Sequence, residues 1–269
     1  MKILDIKNIN FSYYSKKKEE VFSLSGINFS IIEKEFISIL GANGSGKSTL
    51  LKIIAGILKQ NEGTIFINEK DKKLYSINQL AKIIAYVPQL FFSVYPFSVY
   101  EIVMMGRTPY LNMFGYENKN DKEIVLEMLN KVGIYHLRNK GINEVSGGEA
   151  QRAYIARALV QKPKIILLDE PNSHLDIKNE IYLFGLLDSL RINENLSIVI
   201  ITHHLNLANY YSTRVVLFKD GKIIMDGKPD SVLIDENLIN TFSLDNSVQV
   251  KKNIKDKTIN LLPAIMDVE

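Results

Sequence analysis

Gly41-Ala42-Asn43-Gly44-Ser45-Gly46-Lys47-Ser48-Thr49 follows the apolar run Phe36-Ile37-Ser38-Ile39-Leu40 and precedes Leu50-Leu51-Lys52-Ile53-Ile54-Ala55. The order is strand, glycine-rich turn, helix, which is the context in which G-x-x-x-x-G-K-[ST] acts as a phosphate cradle. Glycines at 41, 44 and 46 let the backbone take positive φ and approach a ligand, so successive N–H groups surround phosphate oxygens. The helix starting near Lys47 adds its positive N-terminal dipole. Lys47 supplies a point charge for the terminal phosphates, and Ser48 offers a hydroxyl to Mg²⁺. Asn43, Gly44, Ser45, Gly46, Lys47, Ser48 and Thr49 are therefore the expected contacts of a nucleoside triphosphate.

Outward from this loop, composition narrows the class. The chain has 269 residues, 46% hydrophobic and 23% charged, in the range of an ordinary globular protein with a full core. Net charge is +3, with both signs intermixed, so a nucleic-acid partner is not expected. Absence of cysteine excludes disulfides, thiolate metal sites and cysteine nucleophiles. Met1-Lys2-Ile3-Leu4-Asp5 lacks a signal-peptide pattern, and no uncharged apolar run approaches the ~18 residues of a membrane span. A cytoplasmic protein is expected, reaching a membrane only through a partner.

Residues 2 to 13 read as a strand, and 26 to 40 as two strands broken by Glu33-Lys34-Glu35. Ser15-Lys16-Lys17-Lys18-Glu19-Glu20 reads as a solvated hairpin tip. Residues 47 to 56 form the first helix, Ile65-Phe66-Ile67 a strand, and Ile83 to Val87 another stopped by Pro88. From about Phe92 to Val145 helical patterns such as Val99 to Met105 and Lys122 to Val132 replace strands, as in an inserted helical subdomain. Lys164 to Leu168 and Ser197 to Thr202 are continuous apolar runs, as in parallel strands buried on both faces. Val215 to Phe218 and Lys222 to Met225 flank a D-G hairpin turn. Residues 245 to 269 are polar and poorly patterned, and a weakly packed tail is expected there.

Three further motifs carry chemistry. Val145-Ser146-Gly147-Gly148-Glu149-Ala150-Gln151-Arg152 opens a helical pattern, with Ser146 as N-cap and two glycines exposing N–H groups. One nucleotide does not need two phosphate cradles in one subunit, so the second is expected to serve a neighbour's nucleotide. Ile165-Ile166-Leu167-Leu168-Asp169-Glu170 is a strand ending in two acids, costly when buried unless a cation or hydrogen bonds meet them. Asp169 suits a Mg²⁺ shell and Glu170 the orientation of an attacking water. Ile200-Ile201-Thr202-His203-His204 places a histidine pair at a strand end, where one ring can contact a γ-phosphate. The spacing of the four histidines does not suggest a zinc site.

Taken in this order, the glycine loop, Ser146-Gly147-Gly148-Glu149-Ala150-Gln151, Leu168-Asp169-Glu170 and His203 resemble the ATP-binding subunits of ABC transporters. The resemblance covers residues 1 to about 242. It implies an α/β P-loop NTPase (RecA-like) core with an antiparallel β subdomain and a helical subdomain over 92–145, the core being 1–91 and 146–242 and the tail 243–269. It also implies a head-to-tail dimer in which ATP lies between the loop of one subunit and Ser146, Gly147, Gly148 and Gln151 of the other. By the same resemblance Tyr13 stacks on adenine, with Tyr14 as the alternative. Gln89 in Tyr86-Val87-Pro88-Gln89 resembles the Q-loop glutamine that contacts Mg²⁺ or water. Ser173-His174-Leu175-Asp176 resembles the D-loop, and His203 the switch histidine, with His204 its competitor if the register slips by one. Val145 stands where the family's signature has leucine, and His204 where an acid commonly follows.

Ser98-Val99-Tyr100-Glu101-Ile102-Val103-Met104-Met105-Gly106-Arg107-Thr108-Pro109-Tyr110 and His203-His204-Leu205-Asn206-Leu207-Ala208 resemble the ATPases of iron-siderophore, haem and cobalamin importers. In those proteins the first stretch lies near the groove for the permease's coupling helix; plain helix packing is the other explanation. The expectation is an ATPase with catalytic Glu170, His203 and Gln89, with Ser48, Gln89 and Asp169 around Mg²⁺. Its partners would be a second copy, membrane permease subunits and, through them, a substrate-binding protein. An ABC ATPase acting on ribosomes or DNA, one serving another transported substrate, and a regulatory module without hydrolysis are the competing readings.

Overall fold

The computed structural model describes residues 1–14, 17, 19–89, 95–111, 116–171, 176–244, 248–253 and 258–263. Strands β1 (Lys2–Tyr14), β2 (Glu20–Ile32) and β3 (Phe36–Leu40) lead into helix α1 (Lys47–Ile54). Then come β4 (Glu62–Ile67), β5 (Lys70–Asp71), α2 (Ile77–Ala81), β6 (Ile84–Val87), α3 (Val99–Met104), α4 (Lys119–Lys131) and α5 (Gly147–Leu159). Strand β7 (Ile165–Asp169), α6 (Ile177–Glu194), β8 (Ser197–Ile201), α7 (Leu205–Tyr211), β9 (Arg214–Lys219) and β10 (Lys222–Gly227) follow. The described chain closes with α8 (Pro229–Val232), α9 (Asp235–Phe242), β11 (Val248–Asn253) and β12 (Thr258–Pro263). Among the described residues no helix is long and apolar enough to cross a membrane.

Two compact units divide the chain: residues 1–72 with 199–269, and residues 73–198. In the first, β2, β1, β4 and β5 form an antiparallel sheet in that order. Ile3, Leu4, Ile6 and Ile9 of β1 are buried there against Leu24, Ile27, Phe29 and Ile31 of β2 and Ile65 and Ile67 of β4. The strand expected from residue 26 already begins at Glu20, because Phe22 and Leu24 extend the pairing with β1 past the irregularities in register. Beside it, β3 pairs in parallel with β9, Ile37 against Arg214 and Leu40 against Leu217. Every residue of β3 and β8 is buried, as a parallel strand covered on both faces requires. Asp220 (φ 46°) and Gly221 (φ 73°) make the turn of the β9–β10 hairpin, both in the left-handed region that this tight turn demands.

In the second unit β6 and β7 run parallel, Ile84 opposite Ile165 and Val87 opposite Leu168. Helix α4 begins three residues before the expected Lys122, because Asn118 and Asp121 build a capping box at Lys119. Helices α3, α4 and α5 bury Val99, Ile102, Val103, Val125, Leu129, Ile155 and Leu159 against one another.

The C-terminal stretch departs from the expected weakly packed tail. β11 and β12 pair antiparallel, Val248 with Pro263 and Asn253 with Thr258. Ile259 enters a core cluster with Leu40, Ala208, Leu217 and Leu238. Its alternation with Thr258 and Asn260 is a strand pattern too short to stand out among lysines. Ser15, Lys16 and Lys18 of the hairpin tip, Phe92, Ser173-His174-Leu175 of the D-loop, and Lys255 and Lys257 lie outside the described residues.

Candidate functional site: a phosphate-binding loop, a paired-acid strand end and a capped glycine turn

In the first unit, the loop after β3 is packed from behind. A Cβ on Gly41 would overlap the carbonyl oxygen of Phe218, the residue after Leu217 in the neighbouring strand. On Gly46 (φ 107°) a Cβ would lie 2.5 Å from the Phe22 ring and 2.6 Å from Leu24. Both positions need glycine for room as well as for φ. At Gly44 (φ 78°) a Cβ would meet nothing within 4 Å, so the outer side of the loop is open. Asn43 and Gly44 are exposed, Ser48 is half-buried, and Thr49 is buried at the start of α1.

Lys47 is 3% exposed and arches back over the loop, its Nζ donating to the carbonyls of Gly41 at 2.9 Å and Ala42 at 2.8 Å. The N–H of Gly221 in the β9–β10 turn donates to the Ser45 carbonyl at 2.9 Å, fastening the loop to the hairpin. Ser45 Oγ is buried without a hydrogen-bond partner among the described residues. An orphaned hydroxyl inside a glycine loop at a helix start fits a ligand rich in oxygen acceptors.

Tyr13, 40% exposed, meets Phe11 edge-on at 4.7 Å and Phe22 at 6.4 Å. Phe22 is also the ring against Gly46, so Tyr13 belongs to the aromatic group beside the loop. Tyr14 is opposite Glu20 in the ladder. His203 and His204 are exposed at the end of β8, and the His204 N–H donates to Thr202 Oγ1 at 3.1 Å.

In the second unit, β6 and β7 end side by side. Asp169 is 3% exposed, and the Tyr86 hydroxyl donates to its Oδ2 at 2.9 Å. Burial and then the Asp169 charge push the Tyr86 phenol above its ordinary range, so it stays a donor at physiological pH. Gln89 Nε2 donates to Glu170 Oε2 at 2.9 Å, and Glu170 holds φ 45°. That conformation is costly for a non-glycine residue and recurs where function over-determines the backbone. Two β6-side groups thus each hold one acid of the β7 end.

Ser146 caps α5: its N–H and hydroxyl both donate to Glu149 Oε2 at 2.8 Å, and its Oγ accepts the Glu149 N–H at 3.4 Å. The backbone and then side-chain bonds from Ser146 hold the Glu149 carboxyl below its usual range. A Cβ on Gly147 would meet nothing within 4 Å, leaving the glycine turn open outward. Gln151 Nε2 is buried with no partner among the described residues. Ser146, Gly147, Gly148 and Gln151 thus share one helix start, in the same unit as Asp169 and Glu170. Among the described residues no cluster of three or more His, Asp or Glu side chains could hold a metal ion. A Mg²⁺ shell built on Asp169 or Ser48 would take its remaining oxygens from water and phosphate, as that ion ordinarily does.

The ABC transporter family model matches residues 24–173. An ABC transporter ATP-binding protein of Methanocaldococcus jannaschii is 36% identical over 252 residues, 94% of this chain and 96% of that one. The chain belongs to the ABC transporter ATP-binding family. It is an ATPase of the P-loop NTPase fold. The hemin import ATP-binding protein of Escherichia coli O157:H7 is 36% identical, covering 85% of this cassette and 91% of its own length. Among solved structures, a chain described as of the metal-chelate ABC transporter type, in an inward-facing conformation, superposes with a TM-score of 0.82. Its identity is 30%, with 98% of each chain covered.

Sequence reasoning missed Tyr86 in the cassette, although it stands in the quoted Tyr86-Val87-Pro88-Gln89; only the β6–β7 register reveals what its hydroxyl meets. The subfamily-like stretch 98–110 gains a packing explanation. A Cβ on Gly106 would overlap the Arg157 carbonyl oxygen. Arg107 is buried, donating to Asp121 at 2.9 Å and the Val160 carbonyl at 2.6 Å, and stacking 3.9 Å from the Tyr110 ring centre. Tyr110 Oη donates to the Gln161 carbonyl at 2.7 Å. Gly106, Arg107 and Tyr110 tie α3, α4 and α5 together.

Proposed function

We propose that this cassette is the ATP-hydrolysing subunit of an importer for a metal chelate of the iron-siderophore, haem or cobalamin type. It works as a head-to-tail homodimer closing on two ATP. The observation that carries this reading is that each glycine-rich element keeps a buried polar atom without a partner among the described residues, Ser45 Oγ in one and Gln151 Nε2 in the other. Buried polar atoms are ordinarily satisfied by protein, water or ligand, and in this reading a nucleotide and a second copy settling on the two elements supply the missing partners. Asn43, Gly44, Ser45, Gly46, Lys47, Ser48 and Thr49 hold the triphosphate, and Tyr13 stacks on adenine. Ser146, Gly147, Gly148 and Gln151 of the second copy close over it.

Glu170 orients the water and takes its proton as the oxygen attacks the γ-phosphorus, with ADP as leaving group. Gln89, now bound to Glu170, stands at the same water, and His203 contacts the γ-phosphate. Ser48, Gln89 and Asp169 would hold Mg²⁺, which would supply neutralising charge at the phosphate oxygens when bound. Contacts made only in the closed dimer are what let ATP favour closure. Movement of residues 92–145 would pass closure to membrane permease subunits, which place the cassette at the cytoplasmic face. Substrate choice would rest with the permease and its binding protein. The hemin-import relative and the metal-chelate neighbour support the substrate class.

The test is co-expression with the candidate permease, reconstitution, and phosphate release with a panel of iron-siderophore, haem and cobalamin ligands. Stimulation by one of them is expected. Failure to co-purify with any permease, or stimulation only by non-chelate substrates, overturns the importer reading.

A further inference from the structure

Helix α7 begins directly after the His203-His204 pair and is seven residues long. Its N-cap, His204, makes no side-chain capping bond. A helix of two turns has almost no stability of its own, so its direction is set by what it packs on. Ala208 is buried, and Leu205 packs on the cluster of Leu40, Val215, Leu217, Val232, Leu233 and Leu238. Ile259 of β12, only 4% exposed, completes that cluster. The backbone N–H of Ile259 donates to Asn206 Oδ1 at 2.6 Å, so the same residue fixes α7 by a polar and an apolar contact. On its other strand the hairpin touches α9 through β11. Leu40, the residue before the phosphate loop, is held independently by its parallel pairing with Leu217. Helix α7 has no such ladder.

We infer that the C-terminal hairpin is a positioning element for ATP hydrolysis, in which Asn206 and Ile259 seat α7 and thereby hold His203 in place. The inference rests on the assignment of His203 to the γ-phosphate and gives the last segment of the chain a part in the same reaction. Loosening α7 spreads the position of His203 while leaving the loop that binds ATP intact. Turnover should therefore fall without a matching change in nucleotide affinity. Misplacement of a contributing group by about 1 Å costs up to ~100-fold, so partial loosening is expected to lower kcat roughly 10-fold.

The test compares Asn206→Ala, Ile259→Ala, Asn206→Asp and His203→Ala in the full chain, by steady-state phosphate release over a range of ATP. Circular dichroism at the assay temperature selects folded protein, and Asn206→Ala, at an exposed side chain, serves if Ile259→Ala does not fold. Expected are kcat values about 10-fold down for the two alanine variants, KM for ATP within about twofold, and recovery in Asn206→Asp, whose carboxylate accepts the same N–H. Unchanged kcat in both folded variants, while His203→Ala abolishes turnover, overturns the hairpin's role. A rise in KM at constant kcat overturns it too, since the hairpin would then act on the binding loop. Wild-type turnover in His203→Ala removes the histidine assignment, and the inference with it.

Discussion

Glu170→Gln isolates the proposed base with the least structural disturbance. Glu170 accepts from Gln89 Nε2 at 2.9 Å, and a glutamine at 170 keeps a side-chain oxygen in that place. The side chain is half-buried and the backbone stays at φ 45°, so the isostere should change stability by less than about 0.5 kcal/mol. Chemistry is a different matter, because an amide accepts no proton from water. General-base removal costs about 10²- to 10⁴-fold in rate. At about 1.36 kcal/mol per decade, that is roughly 3 to 5 kcal/mol of transition-state stabilisation. In the proposed reading ATP binding rests on Lys47 and the loop amides, so affinity should persist and the ATP-bound dimer should accumulate. Single-turnover phosphate release and sedimentation velocity with ATP and with ADP measure both effects. Turnover above a tenth of wild type, or a monomer in saturating ATP, would refute the roles given to Glu170 and to closure.

Arg107→Ala should destabilise the second unit by about 3 kcal/mol, since it strands the buried Asp121 carboxylate. Asn118 still donates to that carboxylate, which places the loss at the lower end, and Asp121→Asn added to Arg107→Ala should recover part of it in urea unfolding. Tyr86→Phe removes only the hydroxyl that meets Asp169, a hydrogen bond to a charged group worth about 1.5–3 kcal/mol. An unchanged urea midpoint in nucleotide-free protein would show that the bond contributes nothing. Lys72 provides a pH signature: burial lowers its pKa to about 8, against the partial opposition of Asp71. Between about 8 and the ordinary 10.5 the unfolded chain holds the proton that the folded chain has lost. Stability should therefore rise with pH across that window, and the rise should vanish in Lys72→Met when melting temperatures are compared at pH 7.5 and 9.5.

Much of this molecule is legible without coordinates. The phosphate loop needs glycines, a lysine and a hydroxyl within nine consecutive residues, so Gly41 to Thr49 can be read locally. The continuous apolar runs at β7 and β8 announce parallel strands because both faces are covered. Ser146 with Glu149 announces the start of α5 because a capping box closes within four residues. Each of these is a short-range constraint, and the order of the motifs along the chain was enough for the family.

Tertiary structure alone decided the contacts between distant residues. Tyr86 reaches Asp169 across 83 positions, through a parallel register that places Tyr86 opposite Leu167. Gly106 is required by the Arg157 carbonyl, and Arg107 by Asp121 and Val160, so the stretch that resembles an importer motif also packs its own unit together. Ile259 meets Asn206 across 53 positions, and a polar tail becomes a hairpin seated on the helix that follows His203. Local patterns encode which element forms, because dihedral preference and capping act over a few residues. Which side chain meets which acid, carbonyl or helix depends on register and packing, and those are set only once the whole chain has closed on its core.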